Sequence, residues 1–197
     1  MLINGKVSRL KMTNYFEDKI IDQNTIEEFE ASEFVNCRFE KINFKNASFG
    51  KSKFYESHFQ DCNLSNLNMK STSWREVKFS NCKLIGINWS DCQSIAEIIF
   101  EHSILDYSVF HDLNLYALSM INCSLKYLDI SNLKMKKSRF IGSDLLGASI
   151  SNCDLSECDF TNAMNYSISP ESNKLSGATF SMPEAMSLLS YLGIKIV

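Results

Sequence analysis

Residues 32–66 read SEFVN-CRFEK-INFKN-ASFGK-SKFYE-SHFQD-CNLSN, seven consecutive five-residue units with Phe or Leu at the third place of each. The spacing continues outward from this stretch. A first run places Phe34, Phe39, Phe44, Phe49, Phe54, Phe59, Leu64, Met69, Trp74, Phe79, Leu84 and Trp89 at every fifth position. A second run continues through Ile95, Phe100, Leu105, Phe110, Leu115, Met120, Leu125, Ile130, Met135, Phe140, Leu145, Ile150, Leu155 and Phe160. None of the 26 centres is polar. A period of five suits neither a helix face nor a strand face extended along the chain. It signals a solenoid, in which each short unit buries its apolar side only by stacking on its neighbours.

The residue two before each centre is uncharged and mostly small, as in Ser32, Cys37, Ala47, Ser52, Ser57, Cys62, Thr72, Ser103, Cys123, Ser143, Cys153 and Cys158. Two inward places separated by one outward place is the alternation of a short strand. The other three places hold nearly all the Asn, Asp, Lys and Glu of the region, so they face water. One small and one large inward residue per unit fill a narrow core without voids.

Quintets such as Cys62-Asn63-Leu64-Ser65-Asn66, Ser143-Asp144-Leu145-Leu146-Gly147 and Cys158-Asp159-Phe160-Thr161-Asn162 resemble the pentapeptide-repeat proteins. The resemblance covers residues 30–165. It implies an all-β, right-handed quadrilateral β-helix in which each quintet forms one side of a square and four make a coil. Residues twenty apart then stack, as Phe39, Phe59 and Phe79 would. The 26 quintets make six and a half coils, a rod of about 30 Å at ~4.8 Å per stacked strand.

The 197 residues suffice for one domain with a continuous core, and no 18-residue apolar run exists to span a membrane. The N-terminus lacks the long apolar segment of a secretory signal, so a cytoplasmic location is expected. All seven cysteines fall on the small inward place or, for Cys92, on its continuation into the phase slip, and no Cys-x-x-Cys occurs. They read as buried small hydrophobes rather than metal ligands. His58, His102 and His111 fall on outward places, and none neighbours an acid or thiol in a nucleophilic pattern. No phosphate loop or paired-carboxylate motif occurs. The expectation is a protein without catalytic residues, metal or cofactor.

Trp89 and Phe100 lie eleven residues apart instead of ten, so one residue is inserted near 90–99. A single bulge absorbs such an insertion. The alternative is a joint between two half-rods. Residues 1–29 break the period and are expected to cap the first coil, Ile20, Ile21 and Ile26 included. Beyond 166 the pattern fades through a turn-rich segment. Ser181-Met182-Pro183-Glu184 then reads as a capping box opening a short C-terminal α-helix. Gly193 is placed to end it, and the tail to Val197 alternates like a strand.

The run 166–197 resembles the ending of the quinolone-resistance and microcin-immunity branch of the family. That resemblance implies a homodimer through this region, held by Leu188, Leu189, Leu192 and Ile194. It also implies binding to DNA gyrase or topoisomerase IV, protecting the enzyme from quinolones or a peptide toxin by imitating DNA, with no direct nucleic-acid binding. The projecting loops of the quinolone-resistance proteins are missing from these repeats. The net charge is −3, with +1 over residues 1–92 and −4 over 93–197. The candidate contact residues are Asp144, Asp154, Glu157 and Asp159, which lie in a base-free stretch, and the pair Tyr107 and Tyr127, twenty apart. The alternative function is a structural or adaptor solenoid with an unrelated protein partner.

Overall fold

The computed structural model describes residues 14–23, 29–45 and 47–194. They form a parallel β-solenoid of about eight coils with one short helix at the C-terminal end. Four faces result, named here by their inward columns. The first carries Phe34, Phe54 and Trp74, the second Phe39, Phe59 and Phe79, the third Phe44, Leu64 and Leu84, the fourth Phe49, Met69 and Trp89. On the second face the strands Ile20–Ile21, Arg38–Glu40, His58–Gln60, Lys78–Ser80, Ile99–Glu101 and Ser119–Ile121 pair in sequence. Single bridges carry the column through Arg139 and Asp159 to Thr179–Phe180.

The inward column of that face is Ile21, Phe39, Phe59, Phe79, Phe100, Met120, Phe140, Phe160 and Phe180. Neighbouring rings stack with centroids 4.3 Å apart for Phe39 and Phe59 and 4.9 Å for Phe59 and Phe79. Large apolar residues at each rung, phenylalanine at all but Ile21 and Met120, keep the column continuous, so dispersion contacts run along the rod. Of the 26 expected centres, 25 are buried; Ile95 alone is half-buried.

Among the described residues most sides end in a residue in the left-handed region; the side centred on Trp89 does not. Among the described residues, twenty-four other than glycine adopt φ of +49° to +64°. Such a conformation costs an L-residue about 1–2 kcal/mol. The ladder offsets it, because the corner N–H then points along the rod. Asn36 donates to the Tyr55 carbonyl at 3.0 Å, and Glu56 to that of Arg75 at 2.9 Å. Asparagine tolerates this region best among non-glycine residues, and Asn36, Asn66, Asn81, Asn122, Asn132, Asn152 and Asn162 all stand at corners.

The small inward place has its own bonding. The Ser57 hydroxyl accepts from the Cys37 N–H one coil below at 3.1 Å and donates to the Tyr55 carbonyl at 2.8 Å. Ser143 does the same for the Cys123 N–H at 3.0 Å and donates to Met120. Cysteines replace serine as weak donors; Cys82 Sγ lies 3.4 Å from both the Phe59 and Ser80 carbonyls. The place is small and polar because it satisfies backbone groups inside the core.

The ladder is longer than the sequence reading implied. Residues 14–21, expected in a cap over 1–29, already form coil strands. Asn14–Glu17 pairs with Ser32–Val35, and Ile20–Ile21 with Arg38–Phe39, at an offset of 18 instead of 20. Phe16 stacks on Phe34 at 5.0 Å. With an offset of 18, this coil does not continue the twenty-residue spacing of the repeats. Ile26 and the 195–197 part of the tail lie outside the described residues.

The C-terminal helix spans Glu184–Leu192 but is wound as a 3-10 helix, not the α-helix expected. Met186 N–H bonds to Pro183 O at 3.0 Å, three residues back. The capping box does not form. Ser181 follows Phe180 in the last rung, and its hydroxyl accepts from the Asn162 N–H at 3.1 Å. Pro183 occupies the N-cap with no side-chain bond. Gly193 closes the helix at φ 64°.

Candidate partner-binding surface

The four acids singled out in the sequence do not share a face. Asp154 lies on the first face and Asp159 on the second, with Glu157 at the corner between them. Asp144 lies on the third face, across the rod from Asp154. All four are engaged locally, Asp159 by the Thr161 N–H at 2.9 Å. Burial alone would raise the Asp144 carboxyl, but Asn165 Nδ2 at 2.8 Å, the Leu146 N–H at 3.1 Å and Lys126 Nζ at 3.3 Å hold it below the usual range. The Ser156 hydroxyl, 2.6 Å away, and its N–H hold Asp154 low. Lys136 Nζ at 2.8 Å lowers Glu157, with Lys137 at 3.7 Å. Only Asp144 and Glu157 are paired with lysines, and ion pairs this near the surface carry little free energy.

A different acidic line emerges from the coil geometry. Glu56, Glu76 and Glu97 stand at successive corners between the first and second faces, and the N–H groups of Glu56 and Glu76 bond along the rod. All three are exposed, and rungs repeat every ~4.8 Å. Arg75 Nε approaches Glu76 at 3.5 Å while its guanidinium lies over Tyr55. Their spacing of 20 and 21 residues was visible in the sequence. Summing charge along the chain rather than down a column concealed it.

Tyr107 and Tyr127 do come together. They stack with centroids 5.0 Å apart at the corner between the third and fourth faces, 60 % and 50 % exposed. Gly147 follows on the next rung at φ +69°, and a Cβ there would lie 2.7 Å from Tyr127 ring carbons. The glycine is therefore what lets the ring lie flat along the rod.

The C-terminal helix divides its apolar residues. Leu188 packs against the rod's own core, and the Tyr191 hydroxyl meets Ser167 Oγ at 2.7 Å. Leu189 is half-buried. Met182, Leu192 and Ile194 remain exposed at 70 %, 64 % and 54 %. Of the four residues read as dimer contacts, Leu188 thus serves its own coil.

The inserted residue has a structural consequence that the sequence did not reveal. Trp89–Asp91 form a single 3-10 turn, and the Gln93 and Ser94 N–H groups both point at the Thr72 carbonyl, at 2.7 and 3.4 Å. Two residues opposite one is a bulge. For one coil the pairing then runs at 21, as Lys78 with Ile99 and Asn88 with Val109. Above it the first face stays open. Ser94–Ala96 is the last strand of its sheet, and among the described residues no ladder bond joins it to 114–116. A cleft of about 170 Å³ separates Ile95–Ile98 from Asn114–Leu118.

Six cysteines are buried and Cys92 half-buried. Burial pushes Cys92 up to about 11 and Cys123 and Cys158 to about 12. Among the described residues no group of three His, Cys, Asp or Glu is placed to hold a metal ion. No helix among them is long and apolar enough to cross a membrane.

Comparison with known proteins agrees with this architecture. A model of the pentapeptide repeat region matches residues 32–110, and one of eight pentapeptide repeats matches 123–162, together more than half of the chain. Among curated proteins none matches in sequence. Among solved structures, a trypsin-treated variant of QnrB1, a plasmid-mediated fluoroquinolone resistance protein, superposes with a TM-score of 0.64 at 15% identity, covering 94% of this chain and 98% of that one. Full-length QnrB1 gives 0.51 at 18% identity, covering 92% and 98%. HetL, a protein involved in heterocyst differentiation regulation in the cyanobacterium Nostoc sp. strain PCC 7120, gives 0.53 at 16% identity, covering 83% and 81%. With the repeat read in sequence, built in the coils and matched by both family models, this chain belongs to the pentapeptide-repeat proteins.

Proposed function

We propose that this chain is a non-catalytic binding rod that engages a type II topoisomerase, DNA gyrase or topoisomerase IV, and protects it from a quinolone or a peptide toxin. The supporting observation is the extent of the likeness to QnrB1, which takes in 94% of this chain, whereas that to HetL takes in 83%. The interior is filled with side chains, which suits recognition by the outer surface. On this reading the Glu56–Glu76–Glu97 corner meets the positive DNA-binding groove of the enzyme, as a phosphate backbone does. The exposed Met182, Leu192 and Ile194, with Leu189 beside them, are covered by a second copy about a two-fold axis, the commonest closed assembly. The protein works in the cytoplasm, where its partner resides.

A supercoiling assay with purified gyrase and a quinolone tests this. Added protein restores supercoiling at drug concentrations that otherwise stop it. Unchanged inhibition at a large molar excess, with both enzymes tried, rejects the reading in favour of an adaptor solenoid with another partner.

A further inference from the structure

The cleft on the first face is an interrupted ladder, so its lips carry backbone groups that every other coil pairs. The rule is set by the neighbouring faces. A centre N–H donates to the carbonyl before the next centre, as Leu84 to Ile104 at 2.7 Å, and a corner N–H donates one rung up, as Tyr107 to Lys126 at 2.9 Å. By that rule the Ile95 N–H belongs to the Asn114 carbonyl, and the Glu97 N–H to that of Tyr116. The Asn114 N–H likewise belongs to the Gln93 carbonyl. None of these three bonds forms among the described residues. Six polar groups therefore face each other across a space that holds about six waters at ~30 Å³ each.

Unpaired strand edges recruit other chains, and main-chain bonding to them gives affinity without demanding a sequence. Two features of the rim add selectivity. Beside the cleft, a groove of about 360 Å³ runs past Val77, Ile98, Ile99 and Ala117, with Glu76, Glu97 and Lys78 also on its walls; the Lys78 ammonium is paired with Glu101 at 2.7 Å. Ala117 is the corner residue above Glu97, so no long side chain closes the groove there. Below it descends the exposed line of Glu97, Glu76 and Glu56. An occupant with alternating apolar and cationic side chains matches both.

We propose that this cleft docks an extended, basic peptide segment of a partner protein. A short stretch of its backbone enters the cleft in place of the water and bonds to Ile95, Glu97, Asn114 and Tyr116, and the rest lies along the outer surface. Its Lys or Arg side chains meet the Glu97–Glu76–Glu56 line, and an apolar side chain enters the groove at Ile98. The docking does not depend on the partner being a topoisomerase.

The test uses amide hydrogen exchange on the full chain with the probe peptide acetyl-Lys-Val-Lys-Val-Lys-Val-Lys-amide. In the free protein the Ile95, Glu97 and Asn114 amides exchange at least tenfold faster than those of Ile99, Ile104 and Ser119. The peptide slows these three, with saturation. Replacing the surface residues Glu56, Glu76 and Glu97 by Gln weakens binding at least tenfold at 0.1 M salt and leaves the thermal midpoint in place. A peptide N-methylated on its valines fails to protect the amides. Slow exchange of the three amides without peptide overturns the open edge. Equal binding of the N-methylated peptide, no protection at millimolar peptide, or protection that rises with protein concentration alone overturns the docking.

Discussion

Replacing Phe59 by Ala removes the middle of the second-face column. The ring is fully buried. It lies 4.3 Å from Phe39 and 4.9 Å from Phe79, with Phe54, Trp74 and Phe44 around it at 5.5, 5.8 and 6.1 Å. Truncation of a buried Phe to Ala costs about 3–5 kcal/mol, more where the site cannot collapse. Here the rings above and below are pinned by ladders on four faces, so we expect about 4–5 kcal/mol. The matched control is Ile95→Ala. Ile95 is half-buried beside the cleft, so water enters the vacated space and the loss is about 1–2 kcal/mol, below the range for fully buried residues. Urea unfolding followed by circular dichroism reads both. A Phe59→Ala loss below about 1 kcal/mol, the scale of ordinary surface changes, or losses equal at the two sites, refutes the packing described here.

Thiol labelling at pH 8 should be limited by unfolding for Cys123 and Cys158, whose thiols burial raises to about 12, with half-buried Cys92 reacting first; quick labelling of several thiols contradicts the inward assignment. Gly147→Ala should cost about 1–2 kcal/mol through its left-handed backbone and unstack Tyr127, read as lost near-ultraviolet dichroism; an unchanged spectrum removes the glycine's role. His58 is lowered from 6.5 by burial and by Lys78 and Arg38. Its unfolded form therefore takes up a proton first, and stability present above pH 6.5 falls as pH drops through that value. His58→Gln should flatten the urea midpoint between pH 7.5 and 5.5, and an equal slope in both proteins counts against this. Exchanging Leu192 and Ile194 for Lys should give monomers by light scattering, and a monomeric parent protein ends the dimer proposal.

The repeat was legible because the runs from Phe34 to Trp89 and from Ile95 to Phe160 need no long-range information; each quintet declares its own inward pair. The coil at Asn14–Ile21 was not, since its offset of 18 depends on how the chain closes a turn. The insertion near Cys92 was visible as a count, but which face loses its bonds is decided in three dimensions. The acids illustrate the same limit. Asp144 and Asp154 are close in sequence yet stand on opposite faces, while Glu56 and Glu97 are 41 apart and share one edge. At Ser181 a local capping signal lost to the ladder, because the last rung claimed the hydroxyl first.

The most direct test of topoisomerase binding is the affinity of the purified rod for gyrase, measured by interferometry at 0.05 and 0.2 M salt with and without competing duplex DNA. We expect saturable binding that salt and DNA both weaken, since contacts with a positive groove are screened and shared. Changing Glu56, Glu76 and Glu97 to Lys should weaken binding more than changing Asp144, Asp154, Glu157 and Asp159 to Lys. Binding indifferent to DNA, or none at tens of micromolar for gyrase and topoisomerase IV alike, contradicts the proposed function.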